Sequence, residues 1–382
     1  MNKESSPIDN EPFVVIEPEI REDREPIVNL LARFNWLYKF IGAVTNKKGR
    51  FDRSKEHTRG REYPMFLRRR RAELLADLKN NKTKDEKRAI LREAHYRDEL
   101  ARQHLNQRVL TVKLPELGDQ SVRYIDLVPP KELDQYQPPI FFIPGASNDI
   151  ECVGSLAHEA ALRGRRVIVV AYPESFNGHT TQEFSNAVAV DDCYGPHVAF
   201  FKAALKHLLG KCEKIEIWGY STGAPIAAAI LKESEWQKRT QDCVFICPAS
   251  TVNQTLGSVK RGAASDVGLF KKFKSSANFV FSTGGKKPKT EQLKLREKIF
   301  ESLLRRVAKL SPDWDKVGVV EDGNITIVNG RKDKITKSAS AHYLFNKNPK
   351  VRSKVRSIDL IDGFHTTPLA QPKRVIDLIF AE

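Results

Sequence analysis

A serine stands in a tight turn between two glycines in the segment IEIWGYSTGAPIAAAIL, where an apolar strand pattern runs directly into an alanine-rich helix pattern. Such a turn exposes the hydroxyl of Ser221 at the carboxyl end of the strand. Gly219 and Gly223 let neighbouring elements pass without a Cβ between them. The N-terminus of the following helix offers a positive dipole and N–H groups to a developing oxyanion. The pattern predicts a nucleophilic serine.

The elements that must position this serine begin near residue 107. Strand and helix patterns alternate from there to the end of the chain, which predicts a mainly parallel sheet covered by helices on both faces. Sites in such sheets form at the carboxyl ends of the strands. The eight strand patterns are QRVLTVKL, SVRYIDLV, PIFFIPG, RVIVVAYP, KIEIWGYS, CVFICPAS, NITIVNG and VRSIDLIDGFH.

Composition and charge narrow the class of protein. Hydrophobic residues make up 40% and charged residues 29% of the 382 residues, which is typical of a soluble globular protein. The net charge of +16 favours anionic partners such as phosphorylated substrates, acidic lipid surfaces or, as the least favoured choice, nucleic acid. Charges of this kind also commonly do no more than solvate helix faces.

Cysteine usage and the N-terminus bear on the compartment. The five cysteines are odd in number and scattered, which argues against a disulfide framework and for a reducing compartment. Cys243 and Cys247 lie in one strand pattern without a chelating loop, so they are expected to be buried small hydrophobes. The acidic N-terminus lacks a secretory pattern, and no apolar run approaches the about 20 residues that span a bilayer. These features predict a cytoplasmic protein.

From about residue 107 to residue 382 the chain resembles the α/β-hydrolases, because a Gly-x-Ser-x-Gly turn lies between a buried strand and a small-residue helix in mid-sheet. The resemblance implies the α/β-hydrolase fold, with a mainly parallel eight-stranded sheet, helices on both faces, a helical lid insert and an N-terminal helical extension. It also implies a catalytic triad whose members follow in the order serine, acid, histidine.

The resemblance selects the partners of Ser221. A serine needs a base and an orienting acid. His365, in the loop IDGFHTTP after the last strand, occupies the family's base position, whereas His342 lies in a helix pattern. Asp333 follows the penultimate strand in a Gly-x-x-Asp turn like that of the family. Asp362 is the rival acid, although it lies on the same strand end as the histidine. Asp359 and Asp377 are expected at strand and helix surfaces.

The same resemblance implies two backbone donors for the oxyanion. These are the N–H groups of Thr222, next after the nucleophile, and Ala146, in the loop after FFIPG. The family often has His-Gly in that loop, and this chain has Pro-Gly, which leaves the subfamily open. Ser147, Asn148 and Tyr220 are candidates for the substrate pocket. Hydroxyl, imidazole and backbone donors suffice for acyl transfer, so no metal or organic cofactor is expected.

The remaining segments are accessory. Residues 1–25 are expected to form a disordered acidic tail, 26–106 a charged helical extension, and 107–382 the hydrolase domain with a basic lid insert at about 254–312. The lid attracts anionic substrates or membranes, or is only a solvated cap. The apolar stripe of 27–44 docks onto its own protein or, less favoured, contacts a membrane peripherally.

Two classes of function follow from these observations. The favoured one is a serine hydrolase that cleaves a carboxylic ester or related acyl bond of a small-molecule or lipid substrate through an acyl-serine intermediate. Thioesterase and peptidase activities on the same fold remain open, because a fold does not determine a substrate. The alternative class is a non-catalytic polyanion-binding or scaffold protein. Its support is the basic lid and the four arginines at 68–71.

Overall fold

A computed structural model describes most of the chain. The described residues are 14–17, 73, 74, 76–78, 83–133, 137–146, 150, 153–175, 178–190, 194–251, 253–266, 291–311, 314, 323–336, 355–361, 363, 365 and 367–381. The apolar stripe of 27–44, the rival residues His342 and Asp362, and the pocket candidates Ser147 and Asn148 lie outside them.

Nine described strands form one sheet. In chain order they are β1 Val14–Glu17, β2 Arg108–Leu114, β3 Gly118–Leu127, β4 Ile140–Ile143, β5 Val167–Val170, β6 Ile215–Tyr220, β7 Thr240–Ile246, β8 Ile325–Gly330 and β9 Val355–Leu360. Their order across the sheet is β1-β2-β3-β5-β4-β6-β7-β8-β9. Strands β2 to β9 are the eight strands that the sequence predicts.

The ninth strand comes from the N-terminal tail. Strand β1 pairs antiparallel with β2, with Val14 opposite Val112 and Glu17 opposite Val109. The expectation of disorder over the whole of 1–25 does not hold at these four residues, because they add to the otherwise open edge of β2.

Strand direction brings the loops of interest to one edge. The pairs from β5 through β4, β6, β7 and β8 to β9 are all parallel, whereas β3 runs antiparallel to β5. Strands β4, β5, β6 and β8 are buried along their whole length, as expected for parallel strands covered on both faces. The loops after β6, β8 and β9, which carry Ser221, Asp333 and His365, therefore leave the sheet at the same edge.

Ten described helices accompany the sheet. They are α1 Lys84–Leu105, α2 Gly154–Ala161, α3 Gln182–Val190, α4 Gly195–Leu209, α5 Gly223–Ile230, α6 Ser234–Arg239, α7 Leu256–Asp266, α8 Glu291–Val307, α9 Thr367–Ala370 and α10 Pro372–Ile379. Helices α1 and α10 pack on α2, while α3 and α5 pack on α4. Because the inner strands are buried on both sides, we assign these two groups to opposite faces of the sheet.

The insert between β7 and β8 is helical where it is described. Helix α8 packs along α3 and contacts α7. Its Arg306 donates a hydrogen bond to the carbonyl of Val188 in α3 and lies over the ring of Tyr194, with 5.8 Å from the guanidinium carbon to the ring centroid. The insert is thus attached to the body of the domain, and its role as a lid stays a prediction.

Helix α1, from the predicted N-terminal extension, docks onto the same body. It begins with a capping box in which Thr83 and Glu86 satisfy each other's backbone N–H groups. Its buried Arg97 donates two hydrogen bonds to Glu159 of α2, at 2.8 and 3.2 Å. Two turns further along α1, His104 Nδ1 and His158 Nε2 share a buried hydrogen bond of 3.1 Å. The buried face of this mostly charged helix is thus mixed, with Arg97 and His104 beside Leu100 and Ala101.

The buried His158 predicts that stability falls on acidification. Burial, helped by His104 and Arg97, holds the pKa of His158 well below its ordinary value of 6.5. Below pH 6.5 the imidazole of residue 158 is protonated in the unfolded chain but stays neutral in the native state. The free energy of unfolding therefore decreases as the pH drops. We expect a slope contribution of up to about 1.4 kcal/mol per pH unit.

Urea unfolding of wild type and His158→Gln at pH values above and below 6.5 measures this contribution. The variant should lose less stability between the two conditions than wild type does. His207→Gln, at an exposed position of α4, is the control and should behave like wild type. Equal acid sensitivity in wild type and His158→Gln would show that this imidazole titrates alike in both states.

Candidate active site

Ser221 lies in the turn between β6 and α5 in a left-handed backbone conformation, with φ of +53°. This conformation is unfavourable for a serine, and the surrounding backbone holds it. The Ser221 amide donates to the carbonyl of Ile246 at 2.9 Å, and its carbonyl accepts from the amides of Ala224 at 3.2 Å and Ala249 at 3.0 Å. The end of β7 and the residues just after it therefore fix the turn.

The two glycines are required by close approach rather than by backbone dihedral angle. A Cβ on Gly219 would lie 2.6 Å from backbone atoms of Ala224, and a Cβ on Gly223 would lie 2.3 Å from the carbonyl oxygen of Ile143. Both contacts are with backbone, which cannot move aside. The sequence expectation that neighbouring elements leave no room for a Cβ at Gly219 and Gly223 is confirmed.

Ser221, His365 and Asp333 lie in one hydrogen-bonded chain. His365 Nε2 is 2.9 Å from Ser221 Oγ, and His365 Nδ1 is 2.8 Å from Asp333 Oδ2. Their exposed fractions are 8%, 7% and 7%, respectively, so the chain lies almost buried just beneath the surface. Asp333 and Ser221 lie 32 and 144 positions before His365 in the sequence, respectively, and the three residues meet at one edge of the sheet.

Asp333 is prepared to stay ionised. Its Oδ1 accepts from the backbone amides of Ile335 and Thr336, both at 2.8 Å, and its Oδ2 accepts from Thr336 Oγ1 at 2.6 Å. Burial by itself raises the pKa of this carboxyl, but His365 and these hydrogen bonds outweigh it, so the pKa lies below its ordinary value. An ionised carboxylate only accepts, which assigns the proton to Nδ1 and leaves Nε2 to accept from the serine.

The histidine loop is tied to its neighbours. The carbonyl of Gly363 accepts from the amide of Lys332 at 2.8 Å, which links this loop to the loop that carries Asp333. The hydroxyl of Tyr220 donates to the carbonyl of His365 at 2.9 Å, and the two ring centroids are 5.4 Å apart. Tyr220, a pocket candidate in the sequence, is buried and holds the backbone of His365 through this hydrogen bond, and its place in a substrate pocket stays a prediction.

The candidate oxyanion donors flank the serine. Among the described residues, neither the amide of Thr222 nor that of Ala146 donates a backbone hydrogen bond, and their role as oxyanion donors stays a prediction. The approach of Gly223 to the carbonyls of Ile143 and Pro144 brings the loop of Ala146 next to the turn. Thr222 is further held by its buried Oγ1, which lies 3.1 Å from the hydroxyl of Tyr172.

Two of the other acids considered have different partners. Asp359 lies on β9, 3.5 Å from Arg331. Asp377 lies on α10 and pairs with Arg163 and, at 3.0 Å, with Lys373. Both are the surface positions that the sequence pattern indicates.

Three side chains that lie beside Ser221, His365 and Asp333 or their neighbours were not identified from the sequence, namely Thr336, Tyr172 and Cys247. Thr336 follows Asp333 by three residues, a spacing at which a short polar side chain commonly bonds a neighbouring turn. That signal could have identified it. Tyr172 and Cys247 follow buried strands and carry no local signal, since only the packing of β5 and β7 brings them here.

The hydrogen bond from Thr336 predicts a positioning role. In Thr336→Val the donor to Asp333 is lost without a change of shape, and we expect kcat for ester hydrolysis to fall about tenfold, because hydrogen bonds to charged groups contribute about 1.5–3 kcal/mol. Thr336→Ser keeps the hydroxyl and should restore most of the rate. Thr326→Val, at a buried threonine of β8, serves as the control. A serine variant as slow as the valine variant would argue against the hydrogen bond as the cause.

The chain was compared with protein-family models, with curated protein sequences and with solved structures. No protein-family model and no curated protein sequence matches the chain. Many solved structures do match in fold, and among them are esterases, lipases and other hydrolytic enzymes of the α/β-hydrolase fold. An esterase from Exiguobacterium antarcticum matches with 14% identity over 69% of this chain and 96% of its own, with a TM-score of 0.49.

Two further structures match to a similar extent. A carboxylesterase from Nitrososphaera gargenis has 13% identity over 70% of this chain and 96% of its own, with a TM-score of 0.48. A bromoperoxidase from Bacillus anthracis has 14% identity over 69% and 95%, with a TM-score of 0.45. The chain has the α/β-hydrolase fold, as its strand order and turn geometry indicate. None of the helices in the described ranges combines the length and the apolar character needed to cross a membrane.

Proposed function

We propose that the protein is a serine hydrolase that cleaves a carboxylic ester or related acyl bond through an acyl-serine intermediate. One observation carries this proposal. The hydroxyl of Ser221, the imidazole of His365 and the carboxylate of Asp333 form a continuous hydrogen-bonded chain with distances of 2.9 and 2.8 Å. A serine is activated for attack by this arrangement of side chains.

In the proposed acylation step, the three side chains act together. His365 Nε2 accepts the proton of Ser221 as Oγ attacks the acyl carbon and the carbonyl π electrons move onto its oxygen. The imidazolium that forms is stabilised by ionised Asp333 at Nδ1. The tetrahedral intermediate then collapses, and Nε2 gives its proton to the departing alkoxide or thiolate. The products of this half-reaction are the acyl-serine and the released alcohol or thiol.

The oxyanion is bound by backbone N–H groups. The amides of Thr222 and Ala146, at the N-terminus of α5 and after β4, are fixed by the fold before substrate arrives, so they cost no reorganisation in the transition state. Each such donor lowers the activation free energy by about 3 kcal/mol in enzymes that use an oxyanion hole. Water then repeats the sequence with His365 as base, and the acid is released with regeneration of the serine.

For the substrate we propose only a broad chemical class. The net charge of +16 favours an anionic or lipid-associated acyl substrate. A panel of p-nitrophenyl esters of increasing chain length, supplemented by one thioester and one anilide, ranks the acyl group and the leaving group by kcat/KM. Preference for long chains would support a lipid substrate, and preference for the anilide would shift the proposal to a peptidase.

Labelling with a fluorophosphonate tests the proposal directly. The wild-type protein should be labelled at one residue, and Ser221→Ala should not be labelled. Ser250→Ala is a matched control, because Ser250 also has a left-handed backbone, with φ of +56°, but its hydroxyl bonds Tyr194 and the carbonyl of Arg306. Absence of labelling in folded wild type, checked by circular dichroism, would favour the non-catalytic scaffold.

A further inference from the structure

A thiol adjoins the contact between the acid and the base. Cys247 follows β7 directly, is 1% exposed, and is not in a disulfide. Its backbone is left-handed, with φ of +46°, and its amide donates to the carbonyl of Val328 at 2.7 Å. The Sγ atom, a carboxylate oxygen of Asp333 and a ring nitrogen of His365 all lie within 4.8 Å of one another.

We propose that Cys247, Asp333 and His365 form a binding site for a thiophilic divalent cation such as Zn²⁺, and that occupation of this site switches off the catalytic imidazole. The binding stands on the three side chains alone. Its inhibitory consequence rests on the proposed function.

The donor set suits zinc. Thiolate sulfur, imidazole nitrogen and carboxylate oxygen are the ligands that Zn²⁺ takes in proteins, and three of them leave a fourth position for water. Bond lengths of about 2.3 Å to sulfur and about 2.0–2.1 Å to nitrogen and oxygen put the donors of a tetrahedral ion about 3.3–3.6 Å apart. Two small movements bring the cluster to that spacing. His365 Nδ1 and Asp333 Oδ2, which are 2.8 Å apart, must separate slightly, and Cys247 Sγ, which lies no more than 4.8 Å from the other two ligand atoms, must move closer to them.

The cluster is held together by more than the catalytic contact. Thr336 Oγ1 lies 2.6 Å from Asp333 Oδ2, 3.3 Å from the carbonyl oxygen of Cys247 and 3.3 Å from His365 Nδ1. One hydroxyl therefore adjoins all three residues of the cluster. Because the loops after β7, β8 and β9 are fixed in this way, the donors already face one another and little order is lost on binding.

The proton balance explains the inhibition. On binding, the thiol of Cys247 releases its proton to solvent and its sulfur binds the metal as thiolate. His365 meets the ion through Nδ1, the nitrogen that faces Asp333. A neutral imidazole carries one proton, so metal on Nδ1 leaves the proton on Nε2. Nε2 then donates toward Ser221 Oγ and cannot accept its proton, which removes the general base.

Binding is measured with Co²⁺, which reports a thiolate ligand by a charge-transfer band in the near ultraviolet. After removal of metal with a chelator, wild type should develop this band to a stoichiometry of one ion per chain. Cys247→Ser and Cys247→Ala should not develop it. Cys243→Ser, at the buried thiol within β7, should retain it, as should Ser221→Ala, which keeps all three ligands.

Inhibition is measured with Zn²⁺ on p-nitrophenyl ester hydrolysis, relative to the metal-free activity of each variant. We expect reversible inhibition of wild type and Cys243→Ser, and a loss of sensitivity by roughly 10–100-fold or more in Cys247→Ser, the scale on which metal sites respond to a lost partner. A Co²⁺–thiolate band in a protein without ester hydrolysis would support the site and refute the proposed function. Ester hydrolysis with no band, or with a band that survives in both Cys247 variants, would refute the site.

Discussion

Replacing His365 by alanine is expected to lower kcat for ester hydrolysis by about 10⁶-fold, with little change in KM. The physical reason is that the proton of Ser221 then has no acceptor, because Nε2, 2.9 Å from Oγ, is the group that takes it. Removal of the base leaves the oxyanion donors and substrate binding, which alone give a small residual rate. Stopped assays with concentrated enzyme and p-nitrophenyl acetate provide the measurement.

The same interpretation predicts that the effects are not additive. Ser221→Ala should lose as much rate as His365→Ala, and the double variant should be no slower than either single one, because the two side chains act as one unit. His179→Ala is the control, since this exposed histidine precedes the serine and should be dispensable within a few fold. Additive losses in the double variant, or a large loss in His179→Ala, would mean that the base has been assigned wrongly.

Asp333→Asn is expected to lower kcat by about 10⁴-fold while the protein stays folded. The amide of an asparagine presents a donor where the ionised carboxylate only accepts, so the imidazole is no longer held with its proton on Nδ1. The imidazolium formed during acylation also loses its counter-charge. A normal fluorophosphonate labelling extent at a much reduced labelling rate would indicate that the serine is intact and only its activation has failed.

A parallel substitution separates the two acids that the sequence left in competition. Asp362→Asn should reduce kcat by no more than a few fold, and the reverse ranking of the two variants would transfer the acid role to Asp362.

The pH dependence of the free energy of unfolding supplies a second test of Asp333. Because the pKa of Asp333 lies below its ordinary value of 3.8, its ionised form stabilises the native state above that pH, and this advantage over Asp333→Asn is lost as the pH falls through the native pKa.

The sheet and the nucleophile turn could be predicted from short stretches of sequence. Strands such as IFFI and VIVV are buried on both faces and therefore read as continuous apolar runs, and all eight expected strands are present. The turn at Ser221 is local too, because Gly219 and Gly223 lie within two residues of the serine and admit no Cβ. Residues that are close in sequence and constrained by their own backbone leave a readable pattern.

The edge strand and the docking of α1 could not be predicted. Strand β1 has only four residues, in a segment whose composition indicates disorder, and it forms because β2 offers an open edge. Helix α1 shows mostly charged residues, and its contact with α2 depends on Arg97 finding Glu159, 62 residues further along the chain. Specific polar contacts of this kind have no periodicity for a sequence pattern to reveal.

The sequence by itself determined the fold class and the place of the serine, because both depend on elements that are consecutive in the chain, whereas the order of the acid and the histidine after the serine followed from the resemblance to the α/β-hydrolases. Only the tertiary structure decided what surrounds them. It placed the hydroxyl of Tyr220 against the carbonyl of His365, gave Asp333 its hydrogen bond from Thr336, and brought the thiol of Cys247 close to both Asp333 and His365. Those relations arise where the ends of separate parallel strands meet, so they depend on packing across the sheet rather than on any spacing along the chain.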